Sequence, residues 1–276
     1  MLHTKNTFTG HDGLKLYYQS WRPKKGAVAV LIIVHGLGEH SGRYMNLVTP
    51  LVTHGYAIYA FDNRGHGRSA GQRGHVQSFS DLRQDLALFQ QLVKEQEGER
   101  PLFIMGHSLG GLIVLDTVLR DSTGYKGVIA SSPALDTGGV SAALMTASKI
   151  LSRVWPTLSF PSGLEVNAIS RDSEEVQAYL DDSLVHDKGT PRLAIESQNT
   201  IVWCQEHADN LQIPILIIHG SADRITSPVS SREFFDKITF ADKTYIDYEG
   251  GYHESLNDIH QQEAAADIEH WLNAHL

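Results

Sequence analysis

Short runs of apolar, largely β-branched residues recur along the chain, each bounded by turn residues: "AVAVLIIV" (27–34), "YAIYAF" (56–61), "LFIM" (102–105), "GVIAS" (127–131), "IPILIIH" (213–219) and "KTYIDY" (243–248). Their hydrophobicity is near-continuous rather than alternating, the pattern of strands covered on both faces in a parallel sheet. Helical stretches lie between them. In "SFSDLRQDLALFQQLVKEQ" (78–96), Leu82, Leu86, Phe89 and Val93 recur at helical spacing behind Ser80, a predicted N-cap. The segment "HQQEAAADIEHWLNAHL" predicts a final helix. Strand and helix in alternation imply right-handed βαβ units and a mostly parallel sheet. "LKLYYQSW" (14–21) alternates better and predicts an antiparallel edge strand.

The rhythm breaks between 133 and 209, where helical patterns dominate and no convincing sheet strand is found. In "VSAALMTASKILSRVW", Val140, Ala143, Leu144, Ala147, Ile150, Leu151, Val154 and Trp155 form one apolar stripe, and Pro156 ends the helix. The expected organisation is an α/β core at 1–132 and 210–276, with a helical cap, or lid, at 133–209 laid over one end of the sheet.

At 276 residues with 41% hydrophobic and 20% charged positions, the composition is that of an ordinary globular protein. The net charge of −9 argues against nucleic acid as a partner. One cysteine, Cys204, excludes an internal disulfide framework and is expected to be a buried cap or hinge residue. The first residues hold no apolar segment fit for a signal peptide, and the longest apolar run, 27–34, is too short to span a bilayer. The expectation is a soluble, cytoplasmic protein.

The chemistry is concentrated in "PLFIMGHSLGGLIVL" (101–115). Gly106-x-Ser108-x-Gly110 between a strand and a helix has the form of a nucleophile elbow. The serine turns sharply out of the strand, the glycines prevent collision with neighbouring backbone, and the following helix aims free N–H groups at developing negative charge. Such a serine needs a base and the base needs a carboxylate. His253, in "EGGYHES" after the last predicted strand, is the best placed of fifteen histidines. Asp223, in "LIIHGSADRITSP", follows a strongly apolar strand and is preferred to Asp136, which follows the strand ending near Ser131. The order Ser108, Asp223, His253 is that of the α/β-hydrolases. The loop "HGLG" (35–38) supplies the second oxyanion donor, so the expected donors are the backbone N–H groups of Leu37 and Leu109.

With those motifs assembled, the chain resembles the monoacylglycerol lipase and lysophospholipase branch of the α/β-hydrolase superfamily. The resemblance rests on "HGLGEHSGRY", "FDNRGHGRSAGQRGHV", "GHSLGG", "SRDSEEVQAYLDDSLVH", "HGSADRITSP" and "GGYHE", in order from residue 35 to 254. It implies an eight-stranded sheet with a helical cap between core strands six and seven. It also implies hydrolysis of monoacylglycerols, with lysophospholipids and short- or medium-chain esters as the neighbouring alternatives.

Asp62, Arg64 and His66 in "DNRGHGRS" are read as a structural network, and His35, His66 and His75 do not form a metal motif, so neither metal nor cofactor is expected. Leu144, Ile150 and Leu151 are candidates for lining an acyl pocket, although packing on the sheet is the expected fate of most of their stripe. Transient contact of the 140–158 helix with lipid is a further expectation. Two other classes stay open: a prolyl aminopeptidase-type peptidase, using Glu165, Glu174 or Glu175 to hold a free amine, and a non-catalytic receptor on the same fold.

Overall fold

The computed structural model describes residues 1–136 and 142–276, with side chains described outside 142–145. Strands β1 (Leu2–Thr9), β2 (Lys15–Arg22), β3 (Ala29–Val34), β4 (Tyr56–Phe61), β5 (Leu102–His107) and β6 (Gly127–Ser131) carry the first part of the chain. Helices α1 (Met45–Thr53), α2 (Phe79–Glu97) and α3 (Leu109–Arg120) lie between them. After β6 come α4 (Ala142–Val154), β7 (Phe160–Pro161), α5 (Ser173–Asp181), β8 (Lys188–Gly189) and α6 (Pro191–Glu206). The chain then returns to β9 (Ile215–Gly220), α7 (Pro228–Lys237), β10 (Lys243–Tyr248) and α8 (Gln261–Ala274).

Eight strands form one sheet in the order β1-β2-β4-β3-β5-β6-β9-β10, parallel from β4 to β10 and antiparallel at β1 and β2. The apolar runs are continuous because both faces of the sheet are covered. Along β3, Val30, Ile32 and Val34 join one core with residues of α2 and α3, while Ala29, Leu31 and Ile33 join the other with residues of α1 and α8. From β3 the chain passes to β4 on one side, then crosses back to β5 on the other. This reversal opens a crevice at the carboxyl ends of β3 and β5, the usual ligand position in such sheets.

Three details differ from the pattern-based reading. The strand at 15–22 is antiparallel but not at the edge, because β1 pairs with all eight of its residues. β1 escaped notice because only Phe8 of its side chains is buried. The N-cap of α2 is Ser78, not Ser80: Ser78 is extended, its hydroxyl accepts from Ser80 N–H, and Asp81 closes a capping box. The segment between β6 and β9 holds a short antiparallel ribbon, β7 with β8, among its helices.

Over its described side chains α4 turns much of the apolar stripe outward and leaves Leu151 half-buried; the side chain of Ala143 lies outside the described ones. Ser148 and Ser152 are buried, whereas Ile150, Val154 and Trp155 are 60%, 78% and 58% exposed. Val140 and the side chain of Leu144 lie outside the described residues. Cys204 is buried in α6 and its thiol is pushed up by burial.

Candidate active site

Ser108 stands between β5 and α3 with φ 52° and ψ −118°, a left-handed backbone that an L-residue holds only under constraint. The constraint is visible in its neighbours. A Cβ at Gly106 would stand inside the Gly110 carbonyl, and one at Gly110 inside the carbonyl of Val34 on β3. Ser108 N–H donates to Ser131 O at 3.0 Å, and Ser108 O accepts from Leu112 and Ala134. The turn is held from strand, helix and loop together.

Asp223 leaves β9 and meets His253, whose Nδ1 lies 2.7 Å from Asp223 Oδ2. The Asp223 side chain is fully buried and that of His253 nearly so. Oδ1 accepts the N–H groups of Ile225 and Thr226, at 2.7 and 3.1 Å. Oδ2 is also met by Thr226 Oγ1 at 2.9 Å and by His219 Nε2 at 3.0 Å. Burial pushes this carboxyl up, but the His253 charge and the bonds from both histidines outweigh it and hold Asp223 far below the usual carboxylate range. Burial likewise pushes the His253 imidazole down, yet the adjacent Asp223 carboxylate brings it above its ordinary value.

Ser108 and His253 line the same cavity, of about 500 Å³, together with Leu37, Leu109, Glu39 and Glu254. The loop after β3 closes one wall of it. Gly36 lies against Ser108, where a Cβ would stand 3.0 Å from the serine Cβ. Gly36 N–H donates to Glu39 Oε1 at 2.6 Å, and Tyr44 OH donates to the same oxygen at 2.9 Å. Burial and the nearby Glu254 raise the Glu39 carboxyl to about 7. On the other side of the same loop, His35 Nδ1 contacts Gly36 O at 2.8 Å while its Nε2 accepts Asn63 N–H. Asn63 N–H needs an acceptor at Nε2, so Nδ1 carries the proton. Burial drives this imidazole down to about 3, keeping it neutral.

The segment between β6 and β9 is tied to both halves of this arrangement. His186 N–H donates to Gly38 O at 2.9 Å, and His40 Nε2 sits 2.7 Å from Asp182 Oδ2. Glu254 N–H donates to Ile169 O at 2.8 Å, and Ser170 Oγ to Asn257 O at 2.7 Å. Arg43 joins the two sides, bonded to Glu254 at 2.7 Å and stacked over the Tyr179 ring.

The remaining sequence candidates fall in several places. Asp136 lines the cavity, while the carboxylate on His253 Nδ1 is that of Asp223. Asp62 binds Ser41 and Arg68 N–H, whereas Arg64 pairs with Asp85 and Asp12 rather than with Asp62. His66 packs against His35 and His186, and His75 meets Thr190. Among the described residues no cluster of metal-binding side chains is found. Glu165 lines the cavity and pairs with Arg224; Glu174 and Glu175 do not line it. Leu144 lies outside the described side chains, Ile150 points to solvent and Leu151 is half-buried away from the lining.

Sequence reading missed Glu39, Arg43, Ser132, His219, Thr226 and Glu254. Ser132 has φ 43° and donates its hydroxyl to His253 O at 2.8 Å, which nothing in the local sequence announces. His219 and Arg43 did leave a signal, each lying four residues from a carboxylate it contacts, Asp223 and Glu39 respectively.

The family described as serine aminopeptidase, S33, matches residues 25–260. A Mycolicibacterium smegmatis protein named monoacylglycerol lipase is 31% identical over 99% of this chain and 98% of its own. A Bacillus subtilis phospholipase is 30% identical over 88% of this chain and 94% of its own. The crystal structure of the Paleococcus ferrophilus monoacylglycerol lipase superposes with a TM-score of 0.85 at 33% identity, covering all of both chains. The chain is therefore a serine hydrolase of the α/β-hydrolase superfamily, belonging to the serine aminopeptidase S33 family and to its monoacylglycerol lipase branch.

Proposed function

We propose that this enzyme hydrolyses monoacylglycerols to fatty acid and glycerol through an acyl-enzyme on Ser108, with His253 as base and Asp223 as the carboxylate that orients it. The observation that carries the reading is the buried Asp223–His253 contact of 2.7 Å, opening on the cavity that Ser108 lines. Ser108 Oγ attacks the ester carbonyl while His253 takes its proton, and the N–H groups of Leu37 and Leu109 hold the oxyanion. His253 then passes the proton to the departing glycerol oxygen. Water, deprotonated by His253, attacks the acyl-enzyme; the bond to Ser108 Oγ breaks, His253 returns the proton to that oxygen, and the fatty acid is released. Asp223 keeps Nδ1 protonated, so Nε2 is the basic nitrogen.

The cavity suits such a substrate by its polarity. Leu164, Ile169, Leu193 and Ile201 offer an apolar wall, on which each acyl methylene is worth about 0.8 kcal/mol. Glu39 and Glu254 supply acceptors for hydroxyl groups near His253. We read residues 133–209 as the cap over this cavity, since Phe160, Leu164, Ile169 and Leu193 all come from it. Its outward apolar face on α4 is the surface we assign to transient lipid contact. Among the described residues no helix is long and apolar enough to cross a membrane; the single buried cysteine favours a cytoplasmic setting.

The decisive assay sets p-nitrophenyl esters of graded chain length beside a 1-monoacylglycerol and a proline anilide, with Ser108→Ala as control. The expected result is hydrolysis of ester and monoacylglycerol, none of the anilide, and loss of activity in Ser108→Ala. Preferential cleavage of the anilide would replace this reading by the peptidase one. The Bacillus subtilis relative is named a phospholipase, which favours a phospholipid substrate as the alternative; a lysophosphatidylcholine arm of the same assay measures it.

A further inference from the structure

We propose that His219 is a positioning residue of the hydrolase, fixing the Asp223 carboxylate and sharing its charge so that His253 is neither misaligned nor too strongly basic. The inference rests on the assignment of Asp223 and His253 as the acid and base of the reaction.

His219 is wholly buried at the end of β9, four residues before Asp223. Its Nε2 faces two acceptors, Asp223 Oδ2 at 3.0 Å and Thr226 O at 3.3 Å. Nε2 therefore carries a proton and donates it. Behind it, Nδ1 meets Ser231 Oγ on α7 at 3.0 Å, so the ring is held at both nitrogens. Strand β9 fixes one end of this chain and helix α7 the other.

The two oxygens of Asp223 are treated differently. Oδ1 is held by main-chain N–H groups, which no side-chain motion disturbs. Oδ2, the oxygen that meets His253, is held by side chains: His253 at 2.7 Å, Thr226 Oγ1 at 2.9 Å and His219 at 3.0 Å. These donors compete for one oxygen's charge in a medium that screens poorly. Without His219, more of that charge falls on the His253 bond. The base then holds its proton more tightly, and the carboxylate loses one of the contacts that set its angle. His253 also faces the His107 ring, centred 4.7 Å away, the charges of Glu254 and Glu39, Thr226 Oγ1 at 3.3 Å from Nδ1, and the Ser132 hydroxyl on its carbonyl. Thr226 touches His219 as well, but its hydroxyl bonds the same Asp223 oxygen, so a shift in the base's titration reports on that carboxylate and its donors.

The test is a pH–rate series on a soluble ester with folding monitored by circular dichroism. His219→Leu is expected to lower kcat about tenfold, the scale of one hydrogen bond to a charged group, with KM little changed. The acid limb of kcat/KM is expected to move up by about half a pH unit. His219→Gln, which returns an N–H donor, is expected to recover most of both effects. In an Asp223→Asn background, His219→Leu is expected to add no further loss. Should His219→Leu fail to fold, Ser231→Ala, which frees the ring from behind, carries the same direction at about threefold.

Wild-type kcat and acid limb in the folded variant would overturn the proposal. So would equal losses in His219→Leu and His219→Gln with the limb unmoved, or a full additional loss in the Asp223→Asn background. These outcomes are separable from failure of the parent reading, which shows as retained hydrolysis in Ser108→Ala, His253→Ala or Asp223→Asn.

Discussion

Around Asp223 and along α4, polar and apolar groups exchange their usual places. At the end of β9 a charged carboxylate is buried and met by donors on both oxygens. On α4 two serines are buried while Ile150, Val154 and, just past its end, Trp155 stand in solvent. The first inversion is stable because buried polar groups are matched by partners, and removing one leaves an unpaired group costing about 1–3 kcal/mol. The second has no such compensation within the described residues, and it is this exposed apolar face that the proposed lipid contact would cover. One region is specified from inside the fold; the other points outside it.

The sharpest way to break this contrast is at the charge itself. Asp223→Asn is expected to lower kcat on a p-nitrophenyl ester by about 10⁴, the triad precedent for a carboxylate replaced by its amide. Asp136→Asn, at the same cavity, is expected to leave kcat near wild type. If the two exchange behaviour, the acid has been assigned to the wrong side of the site.

Next in size are two glycine substitutions read by chemical denaturation. Gly110→Ala drives a methyl into the Val34 carbonyl and is expected to cost 3 kcal/mol or more, about the upper range for overpacking. Gly163→Ala, in the segment between β6 and β9, has φ +78° and open space around the added carbon, so about 1 kcal/mol is expected.

The base also titrates apart from a histidine of the segment between β6 and β9. His253 acts as a base only when neutral, and its pKa lies above the ordinary value, so kcat/KM should fall as the pH drops through a midpoint above about 6.5. His186, driven down to about 4 mainly by burial, is neutral throughout that range. His186→Asn is therefore expected to leave the midpoint in place.

The smallest expected effect is on α4. Replacing Ile150, Val154 and Trp155 together by serine should leave the melting temperature and soluble-ester turnover near wild type while reducing binding to phosphatidylcholine vesicles. Unchanged vesicle binding would remove the lipid-contact role of that face.

The same contrast explains what could be read in the amino-acid sequence. β3, β4, β5, β6 and β9 were legible because burial on both faces leaves an unbroken apolar run, and Ser108 because its turn excludes side chains at Gly106 and Gly110. The Asp223–His253 contact was legible only through motif order, since the residues approach from different strands. β1 was missed because a strand whose side chains face water carries little hydrophobic pattern. The α4 stripe predicted a helix but not its facing: amphipathicity states that an apolar side exists, not what covers it. Ser132 was invisible because its bond to His253 spans 121 residues, and Thr226, although only three residues from the Asp223 it bonds, because it meets His253 only in the tertiary fold.

The ties around the cavity carry a consequence for how the molecule comes to life. Ser132 reaches His253 across 121 residues, and His40 reaches Asp182 across 142. Contacts of such separation close large loops and form slowly, after the local helices and hairpins. A partly folded chain therefore already carries its serine but has no oriented base beside it. The Asp223–His253 pair is thus seated by contacts that close loops of more than a hundred residues, so its alignment depends on the completed fold.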